Sequence, residues 1–351
     1  DSQDQLSATL TPSGNTYRSI KEKVNRAKSG DTILLSGTYY SSGNDCIKID
    51  KKLTIKADSS ATLDGKGLSN AFRVTEGGAG TVFKNLKFIN GHSTAGSAIY
   101  VAAKNVQIEK CIFEKNHADR GGAVMTKDDL QTASGLIVDN CQFLSNTAYI
   151  EGSANFSAAA GLGAYGIDSE VRNCVFENNL VKGSRLSVGG AIQIGLDEPG
   201  SNGKVINCIF KNNGALCTGE PSHGGAGCLR SGTVYENCIF MGNYADEGGA
   251  LTFHGTGDLK NCTFINNTAF HFGGALSTGF LYDYMVMTVS DCNFEGNTAP
   301  IGGAIQANGL NVIIKDCNFR KNEVTENGGA INVIAQDVTI KDCIFNSNII
   351  S

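Results

Sequence analysis

The sequence predicts an all-β fold: a right-handed single-stranded parallel β-helix (a solenoid) with an N-terminal helical cap. Three observations carry that expectation. A Cys-x-Phe-x-x-Asn core starts at Cys111, Cys141, Cys174, Cys208, Cys238, Cys262, Cys292, Cys317 and Cys343. Gly-Gly pairs accompany most of the cores, at Gly121-Gly122, Gly189-Gly190, Gly224-Gly225, Gly248-Gly249, Gly273-Gly274, Gly302-Gly303 and Gly328-Gly329. Between them run short period-two segments such as Val338-x-Ile340 and Val312-x-Ile314, the alternation of a half-buried strand. Self-similarity at a fixed period marks a solenoid.

The cores are 30, 33, 34, 30, 24, 30, 25 and 26 residues apart. A bare repeat of 24 residues, Cys238 to Cys262, is too short for a helix pair and lacks the leucine-rich pattern, which leaves the β-helix. Right-handedness follows from the general preference for right-handed crossovers between parallel strands.

The elements follow in order. Residues 1–30 form the cap, with an amphipathic helix over Tyr17–Ala27 that gathers Ile20, Val24 and Ala27 on one side and covers the first coil's open edge. Residues 31–351 form the β-helix, with early coils from Asp31 through Leu86-x-Phe88, where Leu stands in for Cys. Within a coil, the first strand is the Ile-x-Ile segment. A polar residue then precedes each later cysteine (Asn140, Asn173, Asn207, Asn237, Asn261, Asp291, Asp316, Asp342), and Asn and Asp accept the left-handed backbone of a sharp bend. The second strand is Cys-x-Phe, both side chains inward. A turn leads to Gly-Gly, where a tight corner suits glycine. The third strand points Val124, Ile192, Leu251, Leu276, Ile305 and Ile331 inward and a mostly polar column (Met125, Gln193, Thr252, Ser277, Gln306, Asn332) outward. Stacked about 4.8 Å apart, like residues form ladders of Cys, Phe, Ile and Asn, and about twelve coils make a rod on the order of 55–60 Å. Ser351 falls half a coil beyond the last Ile-x-Ile, and this bare end reads as a truncated piece of a longer protein.

Composition narrows the partners. A net charge of −5 without a basic stripe disfavours nucleic acid, and no apolar run reaches the length of a membrane span. Of the 12 cysteines, the nine in the repeat read as small buried apolar residues. In-register neighbours on parallel strands fit disulfide geometry poorly, and no CxxC spacing suggests zinc. Cys217 and Cys228 flank one inserted turn and are candidates for a disulfide, the alternative being two thiols.

The Gly-Gly-Ala and Phe-x-x-Asn motifs resemble the repeats of chlamydial polymorphic outer membrane proteins. The fuller Asn/Asp-Cys-x-Phe-x-x-Asn-x-Ala form, with Gly30-Asp31-Thr32-Ile33-Leu34-Leu35 and Gly37-Thr38-Tyr39, is similar to adhesin-like proteins of methanogenic archaea. That resemblance spans the chain from about Tyr17 and implies an extracellular, cell-surface adhesin, whose partner is a protein or glycan on another cell. It carries over no functional residue, because the shared motifs are structural.

Function on a solenoid collects in its insertions. The candidate binding residues are therefore the loop aromatics Tyr149, Phe156, Tyr165, Phe270, Phe272, Phe280, Tyr282 and Tyr284, which suit sugar stacking or protein contact or else fold back to plug the coil's flank. The β-helix also hosts pectate lyases and polygalacturonases, so a polysaccharide lyase or glycoside hydrolase is the alternative, and a passive surface spacer a third reading. An enzyme of this class is expected to carry paired carboxylates, or a calcium cluster with an Arg base, on one face across neighbouring coils. The column after each Phe (Glu114, Leu144, Glu177, Lys211, Met241, Ile265, Glu295, Arg320, Asn346) is a mixture that reads as a solvated face. His92, His117, His223, His254 and His271 share no partner visible in the sequence. The expectation is thus a monomeric non-enzyme with no catalytic residues, no metal ligands and no cofactor, the sequence leaving a role for calcium open but unsupported.

Overall fold

The computed structural model describes residues 6–149, 157–184, 187–196, 200–278 and 286–351. The chain winds as a parallel β-helix of about 12 turns, and every strand pairing among the described residues is parallel. Face I carries Gln107–Glu109, Ile137–Asp139, Glu170–Arg172 and their successors. Face II carries the Cys-x-Phe strands, from Ile112–Glu114 to Ile344–Asn346. Face IV follows the Gly-Gly corner, from Val124–Thr126 through Ile192–Ile194 and Leu251–Phe253.

A further seven-stranded face, face III, lies between face II and the corner: His92–Ser93, His117–Ala118, Thr147–Tyr149, Leu180–Gly183, Gly214–Cys217, Tyr244–Glu247 and Thr268–Phe272. The sequence predicts only a turn there. These strands are two to five residues long, too short to show a period of their own.

The bends form as expected. Asn140, Asn173 and Asp291 have φ of 55°, 56° and 56°, the left-handed region that Asn and Asp tolerate. At the corner, Gly273 has φ +65°, and a Cβ there would lie 1.9 Å from the Leu276 carbonyl oxygen. Only glycine fits both the angle and the space.

The ladders fill the core. Phe88, Phe113, Phe143, Phe176, Phe210, Phe240, Phe264, Phe294, Phe319 and Phe345 form one stack. Phe143 and Phe176, for example, have ring centroids 4.6 Å apart and planes within 2°. Beside them runs the thiol column, in which Cys111 N–H donates to Cys141 Sγ at 3.4 Å, and Cys141 N–H to Cys174 Sγ at 3.4 Å. Burial raises the Cys141 and Cys238 thiol pKa values well above the usual range, so these side chains stay protonated and unreactive.

Helix Tyr17–Arg26 caps the first coil. Thr16 and Ser19 close a reciprocal capping box, and Tyr17, Ile20 and Val24 are buried. At the opposite end Ile344, Phe345, Ile349 and Ile350 are exposed.

Candidate functional site

Faces I and II are structural exteriors. Cross-coil ion pairs such as Lys87–Glu114 (2.7 Å), Lys211–Glu177 (2.9 Å) and Arg172–Asp139 (3.1 Å) neutralise their charges. These half-exposed pairs contribute little energy, and they leave no concentrated charge for chemistry. The solvated-face expectation holds here.

The outer side of face IV differs. Its outward column is largely buried: Gln193 is 3 % exposed, Thr252 and Ser277 0 %. A polar strip runs along it. At one end is a cleft of about 420 Å³ lined by Tyr100, Arg120, Met125, Asp128, Tyr165 and Arg230, among others. Gly163 makes room for it, because a Cβ there would come within 3.1 Å of the Tyr165 hydroxyl. The Tyr165 ring therefore folds back onto the sheet, with its backbone N–H donating to Thr126 Oγ1 at 2.8 Å. Burial raises the Tyr165 phenol above its usual pKa, so it stays protonated as a donor.

Arg230 follows strand Gly227–Leu229 and is also buried. Its Nε and Nη2 donate to the Gln193 side-chain oxygen at 3.2 and 3.0 Å, which fixes the plane of the guanidinium. One coil further on, His254 is buried against the same face. Burial first, then the charges of Arg230 and His223, hold its imidazole well below the usual pKa, so it is neutral at physiological pH. The His254 ring meets His223 edge-on, with centroids 5.4 Å apart, and His223 Nδ1 lies 3.4 Å from Glu247 Oε2. The strip thus joins a fixed cation, a neutral base and a buried carboxylate.

On face III a groove of about 590 Å³ is lined by His117, Tyr149, Lys182, Leu216 and Cys217, among others. His92 and His117 occupy the same register position on adjacent coils.

The sequence candidates are distributed over both faces. Tyr165 lines the face IV cleft but is only 4 % exposed, as the plugging alternative expects. Tyr149 projects into the face III groove. Phe270 is 49 % exposed, and Phe272 is half-buried beside His271. Phe156, Phe280, Tyr282 and Tyr284 lie outside the described residues. Cys217 and Cys228 sit on strands of different sheets and are not joined by a disulfide. The histidines, for which the sequence shows no shared partner, meet on both faces: His223 with His254 and His92 with His117. The signal was present in part, since Arg230 and His254 are 24 residues apart, one bare repeat. No helix among the described residues is long and apolar enough to cross a membrane.

Comparison with known proteins gives the fold a context. Curated proteins yield no match. Among solved structures, the catalytic domain of a GH87 α-1,3-glucanase in complex with nigerose aligns with TM-score 0.50 and 9 % identity, over 97 % of this chain and 69 % of that one. A variant of that domain aligns with TM-score 0.52 and 10 % identity, over 98 % of this chain and 67 % of that one. A mutant tailspike of an E. coli bacteriophage, in complex with a pentasaccharide, gives TM-score 0.50 and 14 % identity, over 94 % and 62 %. At such identities the likeness is one of fold. The printed descriptions of these neighbours name a glucanase catalytic domain and a saccharide-bound tailspike, which runs against the expectations of a cell-surface adhesin and of a non-enzyme, and both are withdrawn. The model of the right-handed β-helix region matches residues 69–269, more than half of the chain, and the protein belongs to that family.

Proposed function

We propose that the protein is a polysaccharide-cleaving enzyme that works in the face IV cleft, by elimination from an acidic glycan. One observation carries this reading: two guanidiniums, Arg120 and Arg230, line the cleft, and the charge of Arg230 acts on a buried neutral imidazole, His254, one coil further along the strip. Among the described lining residues Asp128 is the one carboxylate, and Glu247, the buried carboxylate of the strip, stands behind His223 and His254, whereas hydrolysis by paired acids needs two flanking the scissile bond. The α-1,3-glucanase and tailspike neighbours, both solved with bound saccharides, support a glycan as the ligand of such a rod.

The roles follow from the chemistry. The guanidiniums take the place of the expected calcium cluster, and His254 that of the Arg base: the two arginines bind a uronate carboxylate and spread the charge that develops when the adjacent C5–H ionises. His254 takes the C5 proton, the electron pair becomes the C4=C5 double bond, and the C4–O bond breaks. The departing oxygen takes a proton from water. Tyr100 and Tyr165 supply aromatic surface for the sugar rings.

The test is incubation with polygalacturonate, alginate and neutral glucans. Ultraviolet-absorbing unsaturated ends from an acidic polymer are the expected result. New reducing ends from a neutral glucan without unsaturated product would replace elimination by hydrolysis, and an unchanged panel would overturn the enzymatic reading.

A further inference from the structure

We propose that His92, His117 and Asp119 form a binding site for a divalent transition-metal ion of the zinc class, which clamps two successive coils together on face III. This site is independent of the face IV cleft. The three residues each offer one donor atom, and these atoms all lie within 4.8 Å of one another. His92 Nε2 and Asp119 Oδ1 are 3.6 Å apart, close to the donor separation of about 3.4 Å that tetrahedral coordination with bonds of about 2.0–2.1 Å requires.

The backbone does most of the positioning. His117 pairs with His92 in the parallel ladder, and its N–H donates to Gly91 O at 2.9 Å. Asp119 N–H donates to Ser93 O at 3.1 Å, which holds its carboxylate beside the coil of His92. Only side-chain torsions remain to be set, and His92 and Asp119 are open enough to turn, at 43 % and 40 % side-chain exposure.

The outer support of a metal ligand is also in place. His117 Nδ1 lies 2.8 Å from Thr147 Oγ1 on the next coil. A ligating histidine typically gives its other ring nitrogen to such a partner, which fixes the ring and tautomer, and this leaves His117 Nε2 for the ion. Two imidazoles and a carboxylate suit zinc, cobalt or nickel rather than calcium or magnesium, which prefer all-oxygen shells. A cavity of about 580 Å³ adjoins the pair and has room for water as the fourth ligand. Of the lysines around it, Lys66 is matched by Asp64 at 3.3 Å, and Lys115 is exposed to solvent.

Cobalt(II) is the probe of choice, because the 12 cysteines are competing ligands with a distinct signature. Titration of the whole chain is expected to give one Co²⁺ per molecule, with visible bands of tetrahedral coordination, no thiolate-to-metal charge transfer, and displacement by Zn²⁺. His92→Ala and Asp119→Asn, both at open positions, should retain the circular dichroism of the folded rod and lose at least about 10-fold in affinity. Thr147→Val should lose about 10–100-fold, as expected of a residue that orients a ligand. No Co²⁺ or Zn²⁺ binding, a thiolate charge-transfer band, or affinity unchanged in both His92→Ala and His117→Ala would each overturn the site.

Discussion

The Asn213 side-chain oxygen accepts two hydrogen bonds from Asn179, one from its backbone N–H at 3.0 Å and one from its Nδ2 at 3.0 Å. Asn179 Nδ2 also donates to the carbonyl of Phe143 at 2.8 Å. The same three bonds recur from Asn116 to Asn322, all inside the coil. A buried polar group stripped of its partner costs about 1–3 kcal/mol. Asn213→Ala removes the acceptor of the Asn179 N–H and of one Asn179 Nδ2 hydrogen, together with the amide that donates to the Phe176 carbonyl. We expect a loss of about 3 kcal/mol or more, read from the urea midpoint, and a similar loss for Asn213→Leu because shape is not the issue.

Glycine at the corner is a separate requirement. Gly273→Ala places a methyl group 1.9 Å from the Leu276 carbonyl oxygen in a left-handed backbone. The neighbour is main chain within a paired strand, so it cannot step aside. Destabilisation well above the ~1 kcal/mol of a simple Gly→Ala backbone penalty is expected in thermal melts. Gly67, with φ +70° and no atom within 4 Å, should lose only the backbone part.

The Phe stack is the chief apolar contribution. Phe210→Ala removes a fully buried ring between Phe176 and Phe240. Cavity formation of this kind costs about 3–5 kcal/mol, and the loss of two stacked neighbours adds to it. Phe345, at 50 % exposure on the last coil, should cost clearly less when truncated.

In the face IV strip, His254→Gln and Arg230→Gln are expected to lower kcat on an acidic polymer by about 100-fold or more, the usual contribution of a positioned base or charge stabiliser. Retained activity in both variants would move the chemistry elsewhere.

His254 also gives the protein a pH dependence. Its pKa is depressed in the folded state relative to about 6.5 in the unfolded chain. Below about pH 6.5 the unfolded state takes up a proton that the native state refuses, so stability falls as pH falls. Above that value the group is neutral in both states and contributes nothing further. The denaturation midpoint should drop between pH 7 and pH 5, and His254→Gln should flatten that drop.

Much of this architecture is legible in the chain because each ladder residue meets its own counterpart. Cys141 and Cys174 each stack as expected, Asn140 and Asn173 take the left-handed bend, and Phe143 lies over Phe176. The candidate sites were hidden for a different reason. His92 and His117 become neighbours only when the register of face III is known, and strands as short as His92–Ser93 leave no periodic trace. Tyr165 looks like an exposed loop aromatic until Gly163 is seen to open a place for its ring. Arg230 and His254 carry polar side chains on a face that is buried rather than solvated, contrary to what a polar outward column suggests.

The Asn column has an evolutionary corollary. Because every rung is completed by the rung above it, the spine of stacked strands can lengthen or shorten only in whole steps. Excision of one 24-residue unit between Cys238 and Cys262 would rejoin like to like along the entire spine, whereas removal of a few residues from one strand would throw each column beyond the cut out of phase. Growth by tandem duplication is thus the natural route to a protein of this kind, and small length changes are confined to the excursions between strands.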